Sequence, residues 1–73
     1  MERLFIVVPV FNEALNIPTL FNAFLKLREE LKDRFSLRYI LVDDGSSDGT
    51  VEIARQEGKD LDLLVLPHEK NIG

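Results

Sequence analysis

The chain has 73 residues, 45% apolar and 30% charged, with no cysteine. That is one domain, too apolar for a disordered segment, with no disulfide framework and no thiolate metal site. Nine Lys and Arg stand against thirteen Asp and Glu, a formal charge of −4, which argues against a nucleic-acid partner that tracks phosphates. No apolar run nears the roughly 20 residues that cross a bilayer. No small-residue cleavage site follows the opening Met1-Glu2-Arg3, so no signal peptide is expected.

Leu4 to Val8 is an unbroken apolar, β-branched run, read as a strand buried on both faces, with Pro9 and Asn12 marking its exit. Asn16 suits a helix N-cap, with Pro18 in the first turn. From there Ile17, Leu20, Phe24, Leu27 and Leu31 form one helical stripe, widened by Phe21 and Leu25, with an end expected near Arg34. Tyr39 to Val42 is a second buried-strand run. It stops abruptly in Asp43-Asp44-Gly45-Ser46-Ser47-Asp48-Gly49-Thr50, a dense cluster of turn and capping residues. Val51, Ile53 and Ala54 open a shorter helix that Gly58 ends. Leu61 to Leu66 is a third strand closed by Pro67, and His68 to Gly73 is a polar tail.

The order strand, helix, strand, helix, strand predicts an α/β fold with a three-stranded parallel sheet, the second strand beside the first and the third beyond it. This is the pattern of one mononucleotide-binding half of a doubly wound, Rossmann-like fold. Ligands of such sheets bind outside the carboxyl ends of the strands. Three segments arrive there: Pro9 to Glu13, Asp43 to Ser46, and His68 to Gly73.

The residue types in these segments suit a nucleotide. A carboxylate at Asp43 or Asp44 can accept from ring N–H or ribose hydroxyl donors, or face a cation. Gly45 allows a positive φ or a close backbone approach to a ligand. Phe11 beside Pro9 offers a flat wall for a base, and Glu13 an acceptor for a sugar hydroxyl or base edge. A plainer reading is available for Ser46, Ser47 and Asp48, which suit capping of the second helix. Two adjacent carboxylates are more than a cap requires. Asp60-Leu61-Asp62 spells D-x-D but stands at the start of the third strand, at the far edge of the sheet, where solvated carboxylates are ordinary. The chain lacks a P-loop, a G-x-G-x-x-G after the first strand and a G-x-S-x-G elbow. His68, the only histidine, reads as structural or solvated.

Val7-Val8-Pro9-Val10-Phe11-Asn12-Glu13, followed by Ile40-Leu41-Val42 and the Asp43 to Thr50 cluster, resembles the opening of a family 2 glycosyltransferase. Asn71-Ile72-Gly73 resembles the segment after the third strand there. In loop lengths and wording the chain is most similar to polyprenyl-phosphate (dolichyl-phosphate mannose synthase-like) sugar transferases. The resemblance implies a GT-A fold and inverting transfer of a sugar from a nucleoside diphosphate donor, UDP- or GDP-linked. It implies a divalent cation, Mg or Mn, in the full enzyme but none bound by these residues alone, and a polyprenyl phosphate as acceptor. It implies a cytoplasmic location, at the membrane face for the full-length protein.

Carried over by position, Pro9, Phe11 and Glu13 line the base and ribose pocket. Asp44 accepts from a base ring N–H, Asp43 supports the turn or the ribose, Gly45 turns the chain, and Gly73 runs near the donor phosphates. Phe11 stands where tyrosine is often found, which keeps stacking and loses a hydroxyl contact.

The family's metal-binding D-x-D loop and catalytic base lie beyond a fourth strand. Residues 1–73 therefore read as the nucleotide-recognising N-terminal part of the domain, with no catalytic residue and no activity of its own. A fourth strand would pair with the first, so Leu4 to Val8 is expected to be an exposed edge that invites homo-oligomerisation. The rival reading is a non-catalytic α/β binding or self-assembly module. A phospho-receiver would carry its acidic pair after the first strand and needs more β-α units, and a nucleotidyltransferase needs a glycine-rich, basic first loop.

Overall fold

The computed structural model describes residues 2–68. Strand β1 spans Glu2–Val10, helix α1 Ile17–Leu31, strand β2 Phe35–Asp43, helix α2 Thr50–Glu57 and strand β3 Leu63–Pro67, with a short 3₁₀ turn at Ala14–Asn16. The strands form one parallel sheet in the order β1-β2-β3. The α/β architecture and strand order are those expected from the alternation of elements.

Both helices cover the same face of the sheet. Ile17, Phe21 and Phe24 of α1 and Ala54 of α2 pack with Val10, Leu37, Tyr39, Leu41 and Val65 in one core. Tyr39 anchors it. Its ring stacks on Phe24 with centroids 4.0 Å apart, and its hydroxyl donates to the Phe24 carbonyl at 2.6 Å. Burial pushes the Tyr39 hydroxyl's pKa up.

The opposite face differs from the sequence expectation. Phe5 and Val7 of β1 are 54% and 60% exposed, and Leu64 and Leu66 of β3 are exposed too. An apolar run has no polar residue to reveal which face lacks cover, so β1 reads as doubly buried although its alternate residues face outward. β1 also runs through Pro9 to Val10, which an edge strand tolerates. Helix α1 stops at Leu31, where its apolar stripe ends, and Leu25 stays exposed while Phe21 is buried.

Gly58 caps α2, as its position predicts, and is also required by space. A Cβ there would lie 2.8 Å from the Ala54 carbonyl oxygen and collide with the Leu63 side chain. The helix can thus turn into β3 at close range.

Candidate functional site

Val10, Asp43 and Pro67, the last residues of the three strands, stand in register across the sheet. The parallel ladder runs one step further: the Asp44 N–H donates to the Val10 carbonyl at 3.0 Å, and the His68 N–H to the Asp43 carbonyl at 2.8 Å. The chain therefore leaves all three strands at one level, and the topology brings together Pro9–Glu13, Asp43–Ser46 and His68; residues 69–73 lie outside the described residues.

The adjacent carboxylates differ in environment. Asp43 is 3% exposed. Its Oδ2 accepts the Ser46 N–H at 3.0 Å and its Oδ1 accepts the Ser46 hydroxyl. Asp43 thus closes the turn that Gly45 makes at φ 80°. Of the two roles weighed for it, support of the turn is the one the geometry displays. Asp44 points out: its carboxylate is 75% exposed, with Oδ1 3.5 Å from His68 Nδ1. His68 is solvated, as expected, yet it sits at the acidic pair.

The loop after β1 is stitched to the loop after β2. The Asn12 N–H donates to Ser46 Oγ at 2.8 Å, and the Ser47 N–H donates to Asn12 Oδ1 at 2.9 Å. Asn12 holds a φ of 50°, which asparagine tolerates better than most residues. The Glu13 N–H donates to Thr50 Oγ1 at 3.0 Å, and the Ala14 N–H to Asp48 Oδ2 at 3.2 Å. Asp48 Oδ1 accepts the Thr50 N–H at 3.1 Å and the Thr50 hydroxyl. The Thr50 hydroxyl holds the Asp48 carboxyl below its usual range, with the Ala14 and Thr50 amides adding to the effect. Asp48 therefore does serve the start of α2, whereas Ser46 and Ser47 bind across to Asn12.

Phe11 is exposed beside this junction. Glu13 is tied locally: its Oε2 accepts from Asn16 Nδ2 at 2.8 Å. With Pro9, Val8, Val10, Asn16, Thr19 and Leu20 it lines a largely apolar cavity of about 330 Å³ between β1 and α1. Phe11 and Asp44 do not line that cavity. Gly73 lies outside the described residues. Sequence reasoning placed Asn12 at a strand exit and Thr50 in a capping cluster, and gave neither a role at the site. Their partners are 34 to 37 residues away, and the only local signal was a turn-rich run facing a strand exit.

A divalent cation needs several oxygen donors gathered together. The Asp43 and Asp48 carboxylates are each bonded at both oxygens, and Asp44 stands beside a histidine. Asp60 and Asp62 lie before β3, where Asp62 faces Arg38 at 3.7 Å. Among the described residues no three His, Asp or Glu side chains converge.

Residues 5–73 match the family described as Glycosyl transferase family 2. The chain is 41% identical over 51 residues, 70% of its length, to Glycosyltransferase AglE of Haloferax volcanii. It is 32% identical over 93% of its length to the Dolichyl-phosphate beta-glucosyltransferase of Dictyostelium discoideum. It is 29% identical over its whole length to the Undecaprenyl-phosphate 4-deoxy-4-formamido-L-arabinose transferase of Proteus mirabilis. The chain spans 16%, 23% and 22% of those three relatives respectively. No solved structure matches it significantly. Among the described residues no helix is long and apolar enough to cross a membrane. With the parallel β-α-β-α-β sheet, the acidic turn at the end of β2 and a match running from residue 5 to residue 73, the chain belongs to glycosyl transferase family 2.

Proposed function

We propose that the carboxyl ends of β1 and β2 bind the nucleoside diphosphate part of a UDP- or GDP-linked sugar. The parent protein would pass that sugar, with inversion, to a polyprenyl phosphate at the cytoplasmic face of a membrane. The observation that carries this reading is the division between Asp43 and Asp44. One carboxylate is spent inside the turn, and its neighbour is thereby held out and exposed, one residue past the strand end. Asp44 suits a base ring N–H, which a carboxylate accepts well. Phe11 supplies a flat face on which any base can stack. Pro9 and Glu13 line the ribose side, and Asp43 and Gly45 set the turn; Gly73, expected near the phosphates, lies outside the described residues. The lipid-phosphate acceptor rests on the names of two relatives, a dolichyl-phosphate and an undecaprenyl-phosphate transferase.

Inverting transfer is a direct displacement, which calls for a base to take the acceptor proton and for charge compensation of the departing diphosphate. The 73-residue chain is expected to bind a nucleotide without transferring sugar. The exposed edge and outer face of β1, with Phe5 and Val7, support self-association of this chain, read by sedimentation against a Phe5→Lys variant. Titration of the ¹⁵N-labelled chain with UDP and GDP tests the binding reading. Amide shifts confined to residues 11–13 and 44–45, with no sugar transfer from the matching donors, are expected. Absence of shifts at millimolar nucleotide contradicts it.

A further inference from the structure

We propose that Asp48 and Thr50 are positioning residues for the nucleotide site: through the Glu13 and Ala14 amides they fix the loop after β1 against the loop after β2. The inference rests on the nucleotide reading of that site and assigns a role to residues the reading does not itself use.

The plain alternative is that Asp48 and Thr50 only begin helix α2. A local Asx-type turn leading into α2 accounts for the bond from the Thr50 N–H to Asp48 Oδ1. It does not account for the other two. Ala14 N–H reaches Asp48 Oδ2 and Glu13 N–H reaches Thr50 Oγ1, both from a segment 34 to 37 residues earlier. Thr50 is 1% exposed, so its hydroxyl has few choices of partner. Its proton goes to Asp48 Oδ1, which leaves a lone pair for the Glu13 amide. The carboxylate thereby orients the hydroxyl, and the hydroxyl orients the backbone of Glu13. One residue earlier, Asn12 is held in its positive-φ conformation by Ser46 and Ser47. Three consecutive residues, Asn12 to Ala14, thus take their main-chain anchors from the segment Ser46 to Thr50. The Glu13 side chain, steadied by Asn16, is aimed from a backbone that Thr50 fixes.

The variants Thr50→Val and Thr50→Ser separate this role from capping. Valine keeps the shape of threonine and removes the acceptor; serine keeps the acceptor. UDP and GDP affinity is measured for both, and for Thr50→Val in a Glu13→Ala background, with melting temperatures in parallel. Thr50→Val is expected to weaken binding by about tenfold, the scale of one lost hydrogen bond. Thr50→Ser should stay within about twofold of the original, and the valine effect should largely vanish once Glu13 is alanine, as it must if Thr50 acts through Glu13. A folded Thr50→Val chain that binds as the original does overturns the inference, as does an undiminished valine effect in the Glu13→Ala background. If Thr50→Val does not fold, Asp48→Asn takes its place in the same cycle, since the amide keeps only one of two acceptor oxygens. If the original chain binds neither nucleotide, the site reading itself fails; loss confined to the variants leaves that reading standing.

Discussion

At the carboxyl end of the sheet, short side chains bond to backbone amides across two loops, joining residues 34 to 37 positions apart. At the amino end, long charged side chains lie over the surface. Arg38 faces Asp62 at 3.7 Å, and Arg28 donates to the Asp60 carbonyl at 2.9 Å. The two arrangements differ in energy. Asparagine, serine, aspartate and threonine lose little freedom when fixed, and the part-buried bond from the Glu13 amide to Thr50 contributes about 1 kcal/mol. A half-exposed Arg–Asp pair such as this contributes about 0 to 1 kcal/mol, because water screens it and the long arginine side chain must be ordered. The loops at the carboxyl end are therefore ordered by polar bonds more than by apolar burial. A site so ordered has its binding groups in place before a ligand arrives, which lowers the cost of binding.

The contrast breaks most visibly at Asp43. Asp43→Ala leaves the Ser46 amide and hydroxyl without their acceptor and loosens the hold of Ser46 on Asn12. A loss of about 2 to 3 kcal/mol is expected, a fall in melting temperature of about 10 °C or more for a domain of this size. Acid acts on the same end more gently. The Asp48 carboxyl titrates below its ordinary value of 3.8 because Thr50 and the Ala14 amide bond its ionised form. The contribution is complete above that value and fades as pH falls through the lower, folded one. Amide exchange should then quicken at Glu13 and Ala14 while Tyr39, deep in the sheet, stays protected. Parallel loss of protection at all three amides would mean that the carboxyl-end loops are not a separate unit. The smallest effect belongs to the amino end. Arg38→Ala should change stability by less than about 0.5 kcal/mol in chemical denaturation.

Much of this was legible in the sequence. Alternating buried strands and an amphipathic helix gave the strand order, and with it the meeting of Pro9–Glu13 and Asp43–Ser46 at one level. Two things were hidden. The runs at Leu4 to Val8 and Leu61 to Leu66 are apolar at nearly every position, so no period told Phe5, Val7, Leu64 and Leu66 from core residues. The two aspartates are chemically identical in a sequence; only the Ser46 bonds single out Asp43 as internal and leave Asp44 exposed. Cross-loop pairs such as Glu13 with Thr50 depend on how the loops meet, which local propensity does not encode.

The central claim is that Asp44 recognises a nucleotide while Asp43 builds the turn that presents it. The measurement that tests it most directly is UDP and GDP affinity of Asp44→Ala alongside its melting temperature. Because Asp44 is exposed, melting should stay within about 2 °C of the original, while affinity falls by about tenfold or more. Unchanged affinity in the folded variant would contradict the claim.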